Sequence, residues 1–292
     1  MISVVMPAYN VEAYIERSLK SVLTQTFQHL EIVLVDDGSS DRTVETAESV
    51  FRQFPHADFK ILRTDHAGPG AARNAGIRAS RFEWVAFLDA DDFWRESKLE
   101  VVTTVIEALE DVDMICHYED EIALDGSIKQ IGMSLDEWDR ATLVLASYHR
   151  NMFTTSGVTV RRRLLVDVGM FDETLPSGQD RDLWIRLVQV ARPFWLRDSL
   201  GYYVNRPGNI SSNLESRFRC SLRISRKYLP SLAKFSAFPR LHVMRAITGC
   251  RVRAVRHYLI RRNPKVAFQH CMGWFLDVAG IVGGGPPKPP YP

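Results

Sequence analysis

Cysteine is scarce. The 292 residues hold four, Cys116, Cys220, Cys250 and Cys271, scattered and with no C-x-x-C pair. That spacing suggests neither a thiolate zinc site nor a disulfide framework, and it fits a reducing compartment. Long apolar runs are missing too. No stretch of about 18 apolar residues is there to span a bilayer. The opening Met-Ile-Ser-Val-Val-Met-Pro is too short an apolar run for a signal peptide. Two nucleotide-binding loops are also absent. Pro7-Ala8-Tyr9-Asn10 stands where a G-x-G-x-x-G would follow a first strand, and no G-x-x-x-x-G-K-[ST] occurs. A dinucleotide fold and a P-loop NTPase are therefore disfavoured.

Acid runs out toward the C-terminus. Residues 1–214 carry 22 Lys and Arg against 33 Asp and Glu, a balance of −11. Residues 215–292 carry 15 against 2, a balance of +13, so the formal net charge of +2 hides a split. Residues 217–265 contain no acid, and apolar residues such as Leu222, Leu232, Ile247 and Leu259 are interleaved with the basic ones. Basic amphipathic helices read as binders of an anionic membrane surface, or as a helical pair packed on the rest of the chain. No interleaved aromatic pattern points to nucleic acid.

What the chain does have is Trp84-Val85-Ala86-Phe87-Leu88-Asp89-Ala90-Asp91-Asp92. Five apolar residues read as a strand buried on both faces. It runs straight into three carboxylates. Desolvating a carboxylate is costly unless something positive compensates. A divalent metal is the cheapest partner: Mg²⁺ takes one or two carboxylates plus substrate phosphates. Asp89 and Asp91 are the candidate ligands. The plainer alternative is a solvated acidic loop in which Asp92 caps a helix.

Strands are expected at 2–6, 32–35, 59–62, 84–88 and 114–117. Helices are expected at 11–23, 42–54 (with Asp41 as its N-cap), 71–79 and near 98–109. The alternation predicts an α/β fold, a doubly wound and mostly parallel sheet. Ligands bind beyond the carboxyl ends of such strands. The unusual polar residues fall there: Tyr9 and Asn10, Asp36 and Asp37, Asp89 and Asp91. Asp37 suits a base or a ribose. Tyr9 suits a base face or simple rim packing. Arg73, beside the glycine loop at 66–70, suits a phosphate or plain solvent. With a metal on Asp91 these residues describe a nucleoside-diphosphate site.

Four motifs occur in order: Pro-Ala-Tyr-Asn at 7–10, Val-Asp-Asp-Gly-Ser-Ser-Asp at 35–41, Gly-x-x-x-Ala-Arg-Asn-x-Gly at 68–76 and Phe-Leu-Asp-Ala-Asp-Asp at 87–92. Together they resemble the inverting glycosyltransferases of family 2, which have the GT-A fold, over roughly residues 1–212. The resemblance implies a nucleotide-sugar donor held by Pro7, Ala8, Tyr9, Asn10, Asp37, Arg73 and Asp89. It implies Mn²⁺ or Mg²⁺ on Asp91, with Asp89 near ribose and metal. The general base is then Asp180, in Ser177-Gly178-Gln179-Asp180-Arg181-Asp182, where Gln179 replaces the family's usual Glu. Asp182 is the competing candidate, and a helix N-cap is the structural alternative for Asp180.

Gly169-Met170-Phe171-Asp172 resembles an acceptor-side element of the family. The segment 202–211 resembles a later motif but lacks its His, and Arg206 is the substitute cation. Trp138, Trp184 and Trp195 suit either sugar stacking or core packing. The resemblance further implies a saccharide or polyprenyl-linked saccharide acceptor, polysaccharide biosynthesis, and a cytoplasmic, peripheral membrane location. Expected boundaries are a catalytic domain at 1–214 (donor half 1–118, acceptor half 119–214), a basic helical extension at 215–282 and a disordered Gly/Pro tail at 283–292. Three rivals remain. A processive synthase would need a Gln-x-x-Arg-Trp motif, and Gln189-Val190-Ala191-Arg192-Pro193 has Pro where Trp belongs. A nucleotidyltransferase would need a Gly-rich loop and Lys after the first strand. The third is a non-catalytic nucleotide-sugar-binding membrane adaptor.

Overall fold

β-Branched and aliphatic runs build the strands, and short turns rich in Asp, Gly and Ser separate them from helices. The computed structural model describes residues 1–133, 138–206 and 213–282. In chain order the elements begin with β1 (Ile2–Ala8), α1 (Ile15–Leu23), β2 (Leu30–Asp36), α2 (Thr43–Arg52), β3 (Phe59–Arg63) and α3 (Pro69–Ala79). Next come β4 (Trp84–Phe87), β5 (Phe93–Trp94), α4 (Lys98–Ala108), β6 (Met114–Ile122), β7 (Ile128–Ile131) and α5 (Arg140–His149). Then β8 (Val158–Arg161), α6 (Arg162–Asp167), α7 (Gln179–Leu187) and β9 (Pro193–Val204) follow. The last four are α8 (Leu214–Lys227), α9 (Leu229–Leu232), α10 (Pro239–Ile260) and α11 (Pro264–Val282).

The chain divides into two units, Met1–Trp138 with Asn151–Gly208, and Asp139–Arg150 with Asn209–Pro292. The first unit is a sheet in the order β3-β2-β1-β4-β8-β6-β9-β5, with β7 paired to β6. β3, β2, β1 and β4 are parallel. β8 is antiparallel to both β4 and β6, β6 and β9 are parallel, and β5 runs antiparallel to β9. The expected α/β sheet therefore forms, its parallel half joined through β8 to a mixed half. After β1 the chain builds outward to β3, then returns to lay β4 on the other side of β1. That reversal opens a crevice at the carboxyl ends of β1 and β4.

Strand alternation sorts the core into two faces. Ile2, Val4 and Met6 of β1 pack with Ile15, Leu19 and Val22 of α1 and with Leu99 and Val102 of α4. On the opposite face α3 comes so close that a Cβ on Gly76 would stand 2.4 Å from Val5 Cγ1. Only glycine allows that approach. Phe87 meets Phe171 and Trp184 edge-on on the same face. Trp184 and Trp195 are core residues, 1% and 6% exposed, so the sugar-stacking alternative fails for both; Trp138 is half-buried.

Several element ends differ from expectation. β1 runs on through Pro7 and Ala8, which pair with Val35 and Asp36. Proline is tolerated because Val5 O accepts from Leu88 N, so Pro7, two residues on, faces the side where β4 has already ended. α1 starts at Ile15, since Val11 O takes the amides of Tyr14 and Ile15 in a turn. Arg42, not Asp41, occupies the cap position of α2, while the Asp41 carboxylate accepts from Thr43 N at 3.0 Å and Glu12 N at 3.1 Å.

The second unit is helical. Asp139 caps α5 through Thr142 N at 2.7 Å, and Asn213 caps α8 through Ser216 N at 3.1 Å. α5 thus groups with the C-terminal helices, although it lies inside the stretch 119–214 expected as an acceptor half. The tail at 283–292, and residues 207–211 of the late motif, lie outside the described residues.

Candidate active site

The crevice at β1 and β4 is floored by the turn that follows β4. Ser156 organises that turn. Its hydroxyl accepts from Asp89 N at 3.1 Å and donates to Asp92 Oδ2 at 2.6 Å. Asp92 N donates to Asp89 O at 2.9 Å, and Asp92 Oδ1 accepts from Val204 N at 2.9 Å. Asp92 is 2% exposed and is followed by β5, so the helix-cap alternative for it is wrong. It locks the turn to β9 instead. Burial, then the charges of Asp91 and Glu119, push its carboxyl well above the usual range.

Two arginines meet the two outer carboxylates. Arg73 Nη2 lies 2.5 Å from Asp89 Oδ1, and Arg206 Nε lies 2.6 Å from Asp91 Oδ2. Arg73 is not the solvated residue of the alternative reading, since it is 5% exposed. Its guanidinium lies 5.4 Å from the Phe171 ring centre, and its Nε and Nη1 have no hydrogen-bond partner. A buried guanidinium with two unused nitrogens is a ready acceptor of an anion. Arg206 packs over Tyr14, which puts it at the carboxylate turn. The Asp91 carboxyl is raised by burial, then by Asp89, against the opposing pull of Arg206.

Asn74 carries the next constraint. Its Oδ1 accepts from Phe171 N at 2.9 Å, while its Nδ2 donates to Phe171 O at 2.9 Å and Glu173 Oε1 at 2.8 Å. One side chain on α3 thereby fixes the Gly-Met-Phe-Asp element that lies 97 residues later.

The Asp37 carboxylate, 2% exposed, accepts from Ala67 N and Gly68 N, each at 2.9 Å, and sits 2.8 Å from His66 Nδ1. It anchors the glycine loop. The Tyr9 ring is stacked on His66, with centroids 4.0 Å apart and planes 17° apart. Of the two expectations for Tyr9, a base face or rim packing, the structure shows packing at the rim, against an imidazole. Asn10, in the left-handed region at φ 50°, ties the two rim loops: its Oδ1 accepts from Ser40 N at 2.8 Å and its N donates to Ser39 Oγ at 3.0 Å. Ala8 contributes its carbonyl, which accepts from Asp37 N at 2.8 Å.

Asp180 lies in the first turn of α7, where the helix dipole favours a carboxylate. Gly178 occupies the cap position, so Asp180 is not the N-cap. It is half-buried and accepts from Asn151 Nδ2 at 2.7 Å. The adjacent Gln179 Cγ is 3.6 Å from where a Cβ on Gly70 would be, so α7 begins beside the glycine loop. Asp182, by contrast, is fully buried and paired with Arg186 at 2.9 Å.

Behind the carboxylate turn lies a cluster that sequence reasoning missed. Glu119 and Lys98 are fully buried and His117 is 2% exposed. Lys98 Nζ lies 3.4 Å from the Trp94 ring centre and donates to Thr159 Oγ1 at 3.3 Å. Burial lowers its ammonium well below the ordinary value. Burial pushes Glu119 up to about 7, with Asp89 adding to the rise, and holds His117 down at about 3. No motif marks these residues: Lys98 stands among Arg95, Glu96 and Glu100, and Glu119 beside Asp120 and Glu121, as solvated charges would.

Asp89 and Asp91 supply hard oxygen donors on one turn. Among the described residues no cluster of three or more His, Cys, Asp or Glu could hold a metal. One or two carboxylates are nevertheless what a Mg²⁺-type cation takes when phosphates complete its shell. The donor set fits that cation.

This sheet order, with a carboxylate turn at its switch point, is the architecture of the GT-A glycosyltransferases. The model of Glycosyl transferase family 2 matches residues 3–167, and the chain belongs to that family. An uncharacterised glycosyltransferase of Nostoc is 38% identical over 178 residues, covering 59% of this chain and 54% of that protein. The minor teichoic acid biosynthesis protein GgaA of Bacillus subtilis is 30% identical over 188 residues, covering 62% of this chain and 41% of that one. The chain thus spans about half or less of these relatives' length. Among solved structures, S. aureus TarS 1–349 in complex with UDP-GlcNAc superposes with a TM-score of 0.66 at 19% identity, over 97% of this chain and 92% of that one. The mannosyltransferase PcManGT of Pyrobaculum calidifontis, with GDP-Man and Mn²⁺, gives 0.62 at 17% identity, over 95% and 80%.

Proposed function

We propose that the chain is a metal-dependent, inverting glycosyltransferase. In this reading it moves a sugar from a nucleoside-diphosphate donor, a UDP-sugar by preference, to a saccharide or polyprenyl-linked saccharide in polysaccharide biosynthesis. The observation that carries the reading is the pairing of Asp89 with Arg73 and Asp91 with Arg206 on one turn at the switch point. Alternating charges of both signs suit a ligand that brings its own phosphates and a cation.

In this mechanism Asp91, with Asp89, would hold Mn²⁺ or Mg²⁺, which would supply positive charge to offset that of the diphosphate. Arg73 turns its unused nitrogens to the phosphates. Pro7, Ala8, Tyr9, Asn10 and Asp37 frame the nucleoside, and Tyr9 exchanges His66 for the base. Asp180 removes the proton of the acceptor hydroxyl. That oxygen attacks the anomeric carbon from the face opposite the diphosphate, the bond from that carbon to the diphosphate oxygen breaks, and an α-configured donor yields a β-linkage. Asp180 is preferred to Asp182 because Asp182 is buried and already paired with Arg186.

Calorimetric titration of UDP, dTDP and GDP, with and without Mn²⁺, tests the donor site in wild type and Asp91→Ala. The expected result is metal-dependent binding of one nucleotide, lost in the variant. Equal binding by both proteins would remove Asp91 from the site. No binding by any nucleotide would overturn the donor site itself.

A further inference from the structure

Helix α11 is built inside out. From Phe268 onward its exposed positions are Phe268, Gln269, Met272, Phe275, Leu276, Ala279 and Val282, all but one apolar. Phe268, Phe275 and Val282 are 64%, 60% and 67% exposed. At about 100° per residue these positions share one face roughly 140° wide. Beyond Lys265, the titratable residues of the helix point the other way. Asp277 and His270 are 7% and 6% exposed. Asp277 is clamped between Arg226 of α8 and Arg251 of α10, the latter at 3.0 Å, and Arg251 Nη1 meets His270 Nδ1 at 3.1 Å. Gly273 makes room for this, because a Cβ there would stand 2.6 Å from the Arg251 guanidinium. A helix on a water-facing surface does the reverse. From Phe268 to Val282 the apolar stripe is about 21 Å long, beyond the scattered exposure of an ordinary surface.

Positive charge stands at one end of the stripe. Leu259 and Ile260 end α10 exposed, and exposed Arg261, Arg262 and Lys265 lie in the turn between α10 and α11 and at the start of α11. Residues 215–282 carry fourteen Lys and Arg against Glu215 and Asp277 alone. Both acids are engaged internally, Glu215 with Arg219 and Tyr258, Asp277 with its two arginines. A second copy brought to this face would meet like charge with like charge. An anionic lipid surface supplies the complement.

We propose that α11 docks in the plane of an anionic bilayer, its Phe268–Val282 face sunk at the acyl boundary and Arg261, Arg262 and Lys265 on lipid phosphates. No helix among the described residues is long and apolar enough to cross a membrane, and an in-plane helix needs no such length. The docking stands on the second unit alone and does not depend on the sugar-transfer reading.

Flotation of the full chain tests it, with vesicles of phosphatidylcholine alone and of phosphatidylcholine mixed with phosphatidylglycerol. Binding is expected only to the anionic vesicles. Phe275→Glu is expected to cut partitioning about tenfold. Arg261→Gln, Arg262→Gln and Lys265→Gln are expected to cut it about fivefold each, and added salt should act in the same direction. All four side chains are exposed, so circular dichroism should be unchanged. Absence of anionic-vesicle binding, or undiminished binding by Phe275→Glu, overturns the proposal. Sizing chromatography gives the remaining arm: a wild-type dimer that Phe275→Glu makes monomeric assigns the stripe to a second copy instead.

Discussion

Replacing Asn74 with alanine should loosen the catalytic unit far more than a single α3 residue would suggest. The Asn74 amide satisfies both main-chain groups of Phe171 and one oxygen of Glu173, at 2.8–2.9 Å. Asn74 and Phe171 are each 2% exposed. Truncation leaves a buried N–H and a buried C=O without partners, at about 1–3 kcal/mol for each orphaned group. A total near 3 kcal/mol is expected, because the small void left by the amide admits some relaxation. For a unit of this size that is a fall of roughly 6–12 °C in Tm. Asn74→Asp is the companion variant. It keeps the acceptor for Phe171 N, loses both donated bonds, and sets a second carboxylate against Glu173, so it should fare no better than alanine. Urea unfolding, followed by tryptophan fluorescence, reads the change directly: Trp184 packs edge-on to Phe171 at 6.2 Å. A midpoint within about 0.5 kcal/mol of wild type for Asn74→Ala would refute the bridge. Because Phe171 also backs Arg73, the donor KM should rise in the same variant while it remains folded.

Gly76→Ala should cost about 1–3 kcal/mol by overpacking, since the new methyl meets Val5 Cγ1 at 2.4 Å; equilibrium unfolding checks it. Glu119 is held near 7 in the folded state, above its ordinary 4.5. The folded state therefore binds that proton more tightly than the unfolded chain, so stability is intact below about 4.5 and falls as pH rises through about 7. The gap between those values corresponds to roughly 3 kcal/mol at the limit. Unfolding curves of wild type and Glu119→Gln should coincide near pH 4.5 and diverge in the variant's favour by pH 8.5. Asp180→Asn should abolish transfer with Tm unchanged, whereas Asp182→Asn should lower Tm, because it breaks a buried pair with Arg186; the opposite pattern would exchange their roles.

Much of this was legible in sequence. The strands at the centre of the sheet are continuous β-branched and aliphatic runs, and their polar endings mark the rim. Strand ends were less legible. The turn residues Pro7 and Ala8 proved to be strand, because what permits proline there is the early end of β4, a fact about a neighbour 80 residues away. Side chains that act across long separations were least legible. Ser156 and Glu119 have no local signature, and Ser156 matters only once β8 is laid beside β4. His66 has no signature beyond its place in the glycine loop, and its stacking on Tyr9 depends on the Asp37 carboxylate gathering that loop. Trp184 and Trp195 carry the residue type favoured for sugar stacking, and packing with Phe153 and Phe171 claimed them for the core.

The early end of β4 has a consequence of its own. Its last pairing with β1 joins Phe87 to Val5, yet β1 and β2 continue together to Ala8 and Asp36. Three residues of overhang make a step of about 10 Å in the edge of the sheet. The low tread is the carboxylate turn and the riser is the backbone of β1. A hollow formed by unequal strand lengths owes nothing to any one side chain. Substitutions along β4 leave the step in place; only a change in strand length would level it.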